Sequence, residues 1–315
     1  MKRFKNILLY TAGKAESRFA LERAVELTRL NHGCLTVVNV LDALPRDLQR
    51  LGAAMPSEIL QDMAMQDLRE QLEQFVAPFQ EKGSPLKVEV LCGKPFIEII
   101  RAVLRRQHDL VMMTAEGGSG PMQMLFGSTS LHLMRKCPCP VWVLKPSPPQ
   151  RFARILAAVD PDPLDVVRDG VNTKVMELAT SLASLEESEL HVVHAWEVCD
   201  SSVWRNWQAQ VPEAQVGEWT EQTREAHQRR FDQLLGQFDL EKLKHRLHLV
   251  QGEAGNVIPQ LADKEQIDLI VMGTVARTGI EGYFIGNTAE TVLQRVACSV
   301  LTVKPDGFVS PVKLN

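Results

Sequence analysis

The chain repeats itself. "RFKNILLY" at 3–10 matches "RFARILAA" at 151–158, and "CLTVVNVLD" at 34–42 matches "ELHVVHAWE" at 189–197. "HDLVMMTAEG" at 108–117 matches "IDLIVMGTVA" at 267–276, and "CPVWVLKP" at 139–146 matches "CSVLTVKP" at 298–305. The offset between the halves grows from 148 to 155 and then to 159, so the insertions fall between the blocks, as loop insertions do. A repeat of this length requires two copies of one domain, 1–147 and 148–315. They meet at "KPSPPQ" (145–150), whose prolines suit a linker rather than a helix or a central strand.

Each half alternates short apolar runs with helical periodicity. In the first half the runs lie near 4–10, 35–41, 86–91, 109–114 and 140–144, and their unbroken Ile, Leu, Val and Met mark strands covered on both faces. Between them, "SRFALERAVELTRLN" (17–31) predicts a helix. Its Phe19, Ala20, Ala24, Leu27 and Leu30 fall on or near one stripe, while Glu22, Arg23, Glu26 and Arg29 mostly face away. Longer helices are predicted near 57–82 and 217–238. Crossovers of this length imply an α/β fold made of two tandem doubly wound domains. Each is expected to be a five-stranded, mostly parallel sheet of order 3-2-1-4-5 flanked by helices.

Composition narrows the function classes. At 315 residues, 45% hydrophobic and 23% charged, the chain reads as a globular protein, and a net charge of −4 supplies no global field for nucleic acid or an anionic membrane. The start, "MKRFKNILLYTAGK", lacks a signal-peptide core, and no run of 18 apolar residues appears, so the expected location is the cytoplasm. The six cysteines are too sparse for a disulfide framework. "CPCP" at 137–140 has neither a CxxC spacing nor a second Cys/His pair nearby in sequence, so no metal site is assigned.

In an open parallel sheet, ligands bind outside the carboxyl ends of the strands, where the strand order reverses, here between strands 1 and 4 of each half. In the second half strand 1 runs into "AAVDPDP" (157–163). Asp160 there can accept hydrogen bonds from a ribose hydroxyl or a base amine, or cap the next turn. Strand 4 ends at Gly273 and is followed by a loop from Thr274 to Ile285. Gly286 would let backbone approach a phosphate, Asn287 is a suitable N-cap, and the helix that follows points its amide groups and dipole at an anion.

These residues resemble the universal stress protein family, whose nucleotide-binding members carry G-x2-G-x9-G-(S/T) after strand 4. The second half reads Gly273-x2-Ala276-x9-Gly286-Asn287, with the flanking "RTG" at 277–279; the first reads Thr114-x2-Gly117-x9-Gly127-Ser128, with Thr11 in place of the Asp. The resemblance spans nearly the whole chain as two tandem family domains. It implies a nucleotide, ATP or ADP with Mg, held in the second half by Asp160, Ala195, Gly273, Thr274, Arg277, Gly286, Asn287 and Thr288. A possible ligand site in the first half would use Thr11, Gly117, Gly127, Ser128 and Ser130. Ala276 costs about 1–2 kcal/mol if the loop needs a left-handed residue there. Similar proteins pair through their last strands, which implies an internal pseudo-dimer of the two domains.

Other groups suggest alternatives. Met55, Met63, Met65, Met112, Met113, Met122, Met124 and Met134 make the first half methionine-rich, which suits an apolar-tailed, lipid-like ligand as well as a core; Met63 is assigned to the core. Trp204, Trp207 and Trp219 read as a packing lid. His191 and His194 face opposite sides of one strand, as do His245 and His248, so packing or surface positions are expected. No HExxH, G-x-S-x-G or P-loop pattern is present. The expected function is a stress-response protein that binds or senses a small phosphorylated ligand and is not an enzyme. The alternatives are a weak nucleotide-hydrolysing switch, a lipid-like carrier and a ligand-free interaction module.

Overall fold

A computed structural model describes residues 4–42, 57–80, 85–115, 126–145, 151–162, 165–198, 212–274 and 286–314. These group into two compact units, the first made of the described residues up to 145 together with 309–314, the second of those from 151 to 308.

In the first unit the elements run β1 (Asn6–Tyr10), α1 (Arg18–Asn31), β2 (Cys34–Leu41), α2 (Ser57–Gln80), β3 (Leu86–Cys92), α3 (Pro95–Arg106), β4 (Leu110–Thr114), α4 (Ser128–Lys136) and β5 (Val141–Leu144). The strands are parallel in the order β3-β2-β1-β4-β5. The second unit runs β6 (Arg154–Val159), α5 (Val166–Glu186), β7 (Glu189–Trp196), α6 (Glu213–Leu235), β8 (His245–Gln251), α7 (Ala254–Lys264), β9 (Leu269–Gly273), α8 (Asn287–Arg295) and β10 (Ser299–Val303). Its order is β8-β7-β6-β9-β10, again parallel. Both units therefore have the expected doubly wound order.

The central strands are buried on both faces, which is why they read as unbroken apolar runs: Ile7, Leu8 and Leu9 of β1 and Ile155, Leu156 and Ala157 of β6 have no exposed surface. The repeat extends to backbone detail. His32 and Glu187 end equivalent helices in the left-handed conformation, as do Gln107 and Gln266. At the amino edge of each sheet one aspartate ties two strands together. Asp109 accepts the Lys5 and Asn6 amides, and Asp268 accepts that of Arg154. This is the structural use of the repeated "HDL" and "IDL".

Two expectations for α1 change. Arg23 is buried, with Nη1 2.9 Å from Glu26 Oε2, and Leu30 is exposed. The buried stripe is centred on Ala20, Ala24, Leu27 and Asn31, which places Leu30 at its margin. Thr28 also lies on the buried face because its hydroxyl satisfies itself on the Ala24 carbonyl. Met63, assigned to the core, is 59% exposed on α2, whereas Met112, Met113 and Met134 are fully buried in β4 and α4. Those three therefore serve packing. Met55, Met122 and Met124, like Trp204 and Trp207, lie outside the described residues.

Candidate functional site

The parallel order brings the predicted residues of the second half to one carboxyl edge. Val159 pairs with His194 and Ala158 with Met272, so Asp160, which follows β6, lies beside Ala195 on one side and the end of β9 on the other. Asp160 is pinned by its backbone. Its amide donates to Asn172 Oδ1 and its carbonyl accepts from Asn172 Nδ2, both at 2.9 Å, with Asn172 buried in α5. The carboxylate is left part-exposed, 3.8 Å from Arg168 Nη1. The same guanidinium reaches Asp162 at 3.1 Å and Asp165 at 3.6 Å. Asp165 also caps α5 by accepting the Arg168 amide. Arg168 thus lies among three carboxylates, and a ligand hydroxyl approaching Asp160 would share it with this cation.

Thr274 is the anchor of the loop that follows β9. Its amide donates to the Val303 carbonyl at 3.3 Å, and its carbonyl accepts the Gly286 amide at 3.1 Å. Its hydroxyl accepts from Lys304 Nζ at 2.5 Å. Both side chains are buried, and the Lys304 ammonium lies 4.9 Å from the centre of the Phe308 ring. Lys304 was not among the predicted site residues, although its signal was available: a Lys-Pro pair follows the last strand of both halves, Lys145 in "LKP" and Lys304 in "VKP". In the first half Ala115 takes the place of Thr274. It keeps the backbone bond to the last strand, 2.7 Å to the Leu144 carbonyl of β5, but offers Lys145 no hydroxyl.

Gly273 has a packing reason. A Cβ at this position would sit 2.6 Å from Val171 Cγ1 of α5, so the glycine lets helix and strand end approach closely. The N-cap of α8 is Gly286, not Asn287, which is the first helical residue and exposed. Gly286 adopts φ −60° and ψ 142°, an extended geometry in which its own carbonyl takes the Glu290 amide. A side-chain cap at Asn287 would need that residue one position outside the helix. The α8 start carries the orphan amides and the positive dipole end that suit an anion, tempered by Glu290 in the first turn. Thr288 is exposed there and Ala289 is buried. Arg277 lies outside the described residues.

The first-half hydroxyls are largely engaged by backbone. Buried Thr11 donates its amide to the Val38 carbonyl and accepts the Gly13 amide on Oγ1 at 3.0 Å, with Gly13 at φ +71°. Ser130 has no exposed surface and donates to the Gly127 carbonyl at 2.8 Å. Ser128 remains exposed at the start of α4, with Gly127 as the N-cap and no acidic residue in the first turn. Thr114 Oγ1 is buried with no hydrogen-bond partner among the described residues. Gly117 lies outside them.

Histidines support the second-half edge from both faces of β7. His194 Nδ1 lies 3.3 Å from the carbonyl of Val159, the residue before Asp160, and its Nε2 lies 2.8 Å from His227 Nδ1 on α6. In the neutral imidazole Nδ1 donates to the carbonyl, so Nε2 accepts from His227 Nδ1. On the other face His191 Nδ1 lies 3.0 Å from His248 Nε2 of β8. Burial, then the charge of His248, holds His191 below its ordinary value of 6.5; burial likewise lowers His248. Among the described residues no three His, Cys, Asp or Glu gather as a metal ion would need, and no helix is long and apolar enough to cross a membrane.

A model of the universal stress protein family matches residues 3–145 and again 151–304. Universal stress protein E of Escherichia coli K12 is 32% identical over 235 residues, covering 74% of this chain and 72% of that one. Universal stress protein E of Photorhabdus laumondii is 26% identical over 316 residues, 99% of each. A solved putative universal stress protein from Pseudomonas aeruginosa UCBPP-PA14 shares the fold, with a TM-score of 0.68 and 23% identity over 98% of this chain and 95% of that one.

Proposed function

Because this chain belongs to the universal stress protein family, a family of stress-response proteins, we propose that its second half binds a small phosphorylated ligand, an adenine nucleotide such as ATP or ADP. The observation that carries this reading is the convergence of Asp160, Ala195, the locked Gly273–Thr274 strand end and the Gly286 helix start at one carboxyl edge. Asp160 serves the ribose or base end, since its carboxylate is part-exposed while its backbone is fixed. The α8 start and the buried Lys304 ammonium serve the phosphate end.

The second half is favoured over the first for a local reason. Thr11 and Ser130, which would have to reach a ligand in the first half, already spend hydroxyl interactions on Gly13 and Gly127. In the second half the groups at the loop base brace each other and leave Asp160, Asn287 and Thr288 toward solvent.

The reading is tested by native mass spectrometry of protein purified without added nucleotide, followed by ligand release. A co-purifying ATP or ADP mass, lost in Asp160→Ala, supports it. A lipid-like mass moves the ligand to the apolar-tailed class. No retained mass, together with no calorimetric response to millimolar ATP, removes nucleotide binding.

A further inference from the structure

We propose that Cys137 and Cys139 form a preorganised dithiol that captures trivalent arsenic, with both sulfurs bonding to one arsenic atom. The two Sγ atoms lie 3.5 Å apart. Cys137 ends α4 in extended geometry and is fully buried, whereas Cys139 keeps part of its residue surface exposed. The segment is held at both ends: the Cys137 amide donates to the Leu133 carbonyl at 2.8 Å, and the Pro140 carbonyl accepts the Val111 amide at 3.0 Å. Pro138 and Pro140 restrict the backbone further. The sulfurs are therefore held in contact and cannot readily spread apart.

Geometry and charge select the class of partner. Two bonds of about 2.3 Å, the length of a metal–thiolate bond, reach sulfurs 3.5 Å apart when the angle at the central atom is roughly 100°, as at a pyramidal trivalent centre. A linear two-coordinate cation would need them about 4.6 Å apart. Charge points the same way. The hydrogen bond with Cys137, burial and the negative charge of Asp109 push the Cys139 thiol well above its ordinary range, so Cys139 is held as the neutral thiol. Such thiols are poor nucleophiles toward peroxide, which reacts with thiolate. A partner that condenses with neutral thiols and leaves a neutral product avoids placing charge in this setting.

Phenylarsine oxide is such a partner. Two As–S bonds form, two S–H bonds and the As–O bond break, and the oxygen leaves as water carrying both thiol protons. Arsenic stays trivalent and no electrons are transferred. The second half lacks the pair, because Val296 and Cys298 stand at the corresponding positions.

The test is intact-mass analysis of the full chain after equimolar phenylarsine oxide, followed by excess monothiol, which strips arsenic from single cysteines. Wild type should retain one adduct. Cys139→Ser, which leaves the buried Cys137 in place, should reduce retention at least tenfold. Val296→Cys, which builds the same spacing in the second half, should raise the number retained to two. Retention by Cys139→Ser equal to wild type, or no retained adduct on folded wild type, overturns the assignment.

Discussion

Lys304 donates to Thr274 across 2.5 Å of buried space, joining the end of the last strand of the second unit to the base of the loop after β9. Replacing the ammonium by the apolar chain of Met leaves the Thr274 hydroxyl without this donor. Lys304→Met should therefore lower stability by about 1–3 kcal/mol in urea unfolding. If this cation serves the proposed phosphate end, its loss should weaken ADP about tenfold, roughly 1.4 kcal/mol, and adenosine little. Equal losses for both ligands would mean that Lys304 acts through fold alone.

Asn172 holds Asp160 through both backbone groups while itself only 3% exposed. Leucine has the same branched skeleton of four side-chain heavy atoms and neither polar atom. Asn172→Leu should cost about 2–4 kcal/mol, because a backbone donor and a backbone acceptor lose their partner together. A nucleotide affinity measured below the unfolding transition should fall as well, since Asp160 would no longer be fixed. Unchanged affinity would detach Asp160 from binding.

Gly273 and Val171 are coupled by contact. Gly273→Ala places a methyl 2.6 Å from Val171 Cγ1 and should destabilise the chain by about 1–3 kcal/mol. In Val171→Ala the clash is gone, so the double variant should recover much of the loss. A double-mutant cycle should give a coupling of about 1 kcal/mol or more. Strict additivity would show that the glycine answers to something other than this packing.

The His191–His248 pair should make the second half acid-sensitive. Both folded values lie below 6.5, so on acidification the unfolded chain takes up protons first. Stability is therefore fully present above about pH 6.5 and declines as the pH falls below it. The groups around the pair include Glu189, Glu265, Arg246 and Lys264, and the carboxylates only partly offset the burial. Melting temperature between pH 7.5 and 5 should fall for wild type. It should fall less steeply for His248→Gln, which cannot titrate. Burial also lowers His108 and His132, so the slope should flatten rather than vanish.

Particular residues show what sequence can and cannot specify. The strands were legible because both faces of each central strand are covered, which leaves runs such as Ile7–Leu9 wholly apolar, and the repeat showed their number twice, while their order was an expectation from the fold class. Asp160, Gly273 and Gly286 could be placed at strand and helix ends from the sequence, and the structure puts them there. Partners remote in sequence were not. Asn172 lies twelve residues from Asp160 and Lys304 thirty from Thr274, and no local pattern joins either pair. Gly273 entered the sequence reading as part of the family's glycine pattern, and its short contact to Val171 emerges only once α5 is placed. Arg23 and Leu30 were exchanged because an apolar stripe read from type alone gives Thr28 and Asn31 no place on the buried face.

Isothermal titration of ADP into wild type, Asp160→Ala and Gly286→Val bears most directly on nucleotide binding at the second-half edge, with circular dichroism confirming that each variant is folded. Wild type should bind one ADP per chain, and both variants should lose at least tenfold in affinity, one from the ribose end and one from the phosphate end. Absence of heat with wild type at millimolar ADP, or binding that both folded variants leave unchanged, would contradict it.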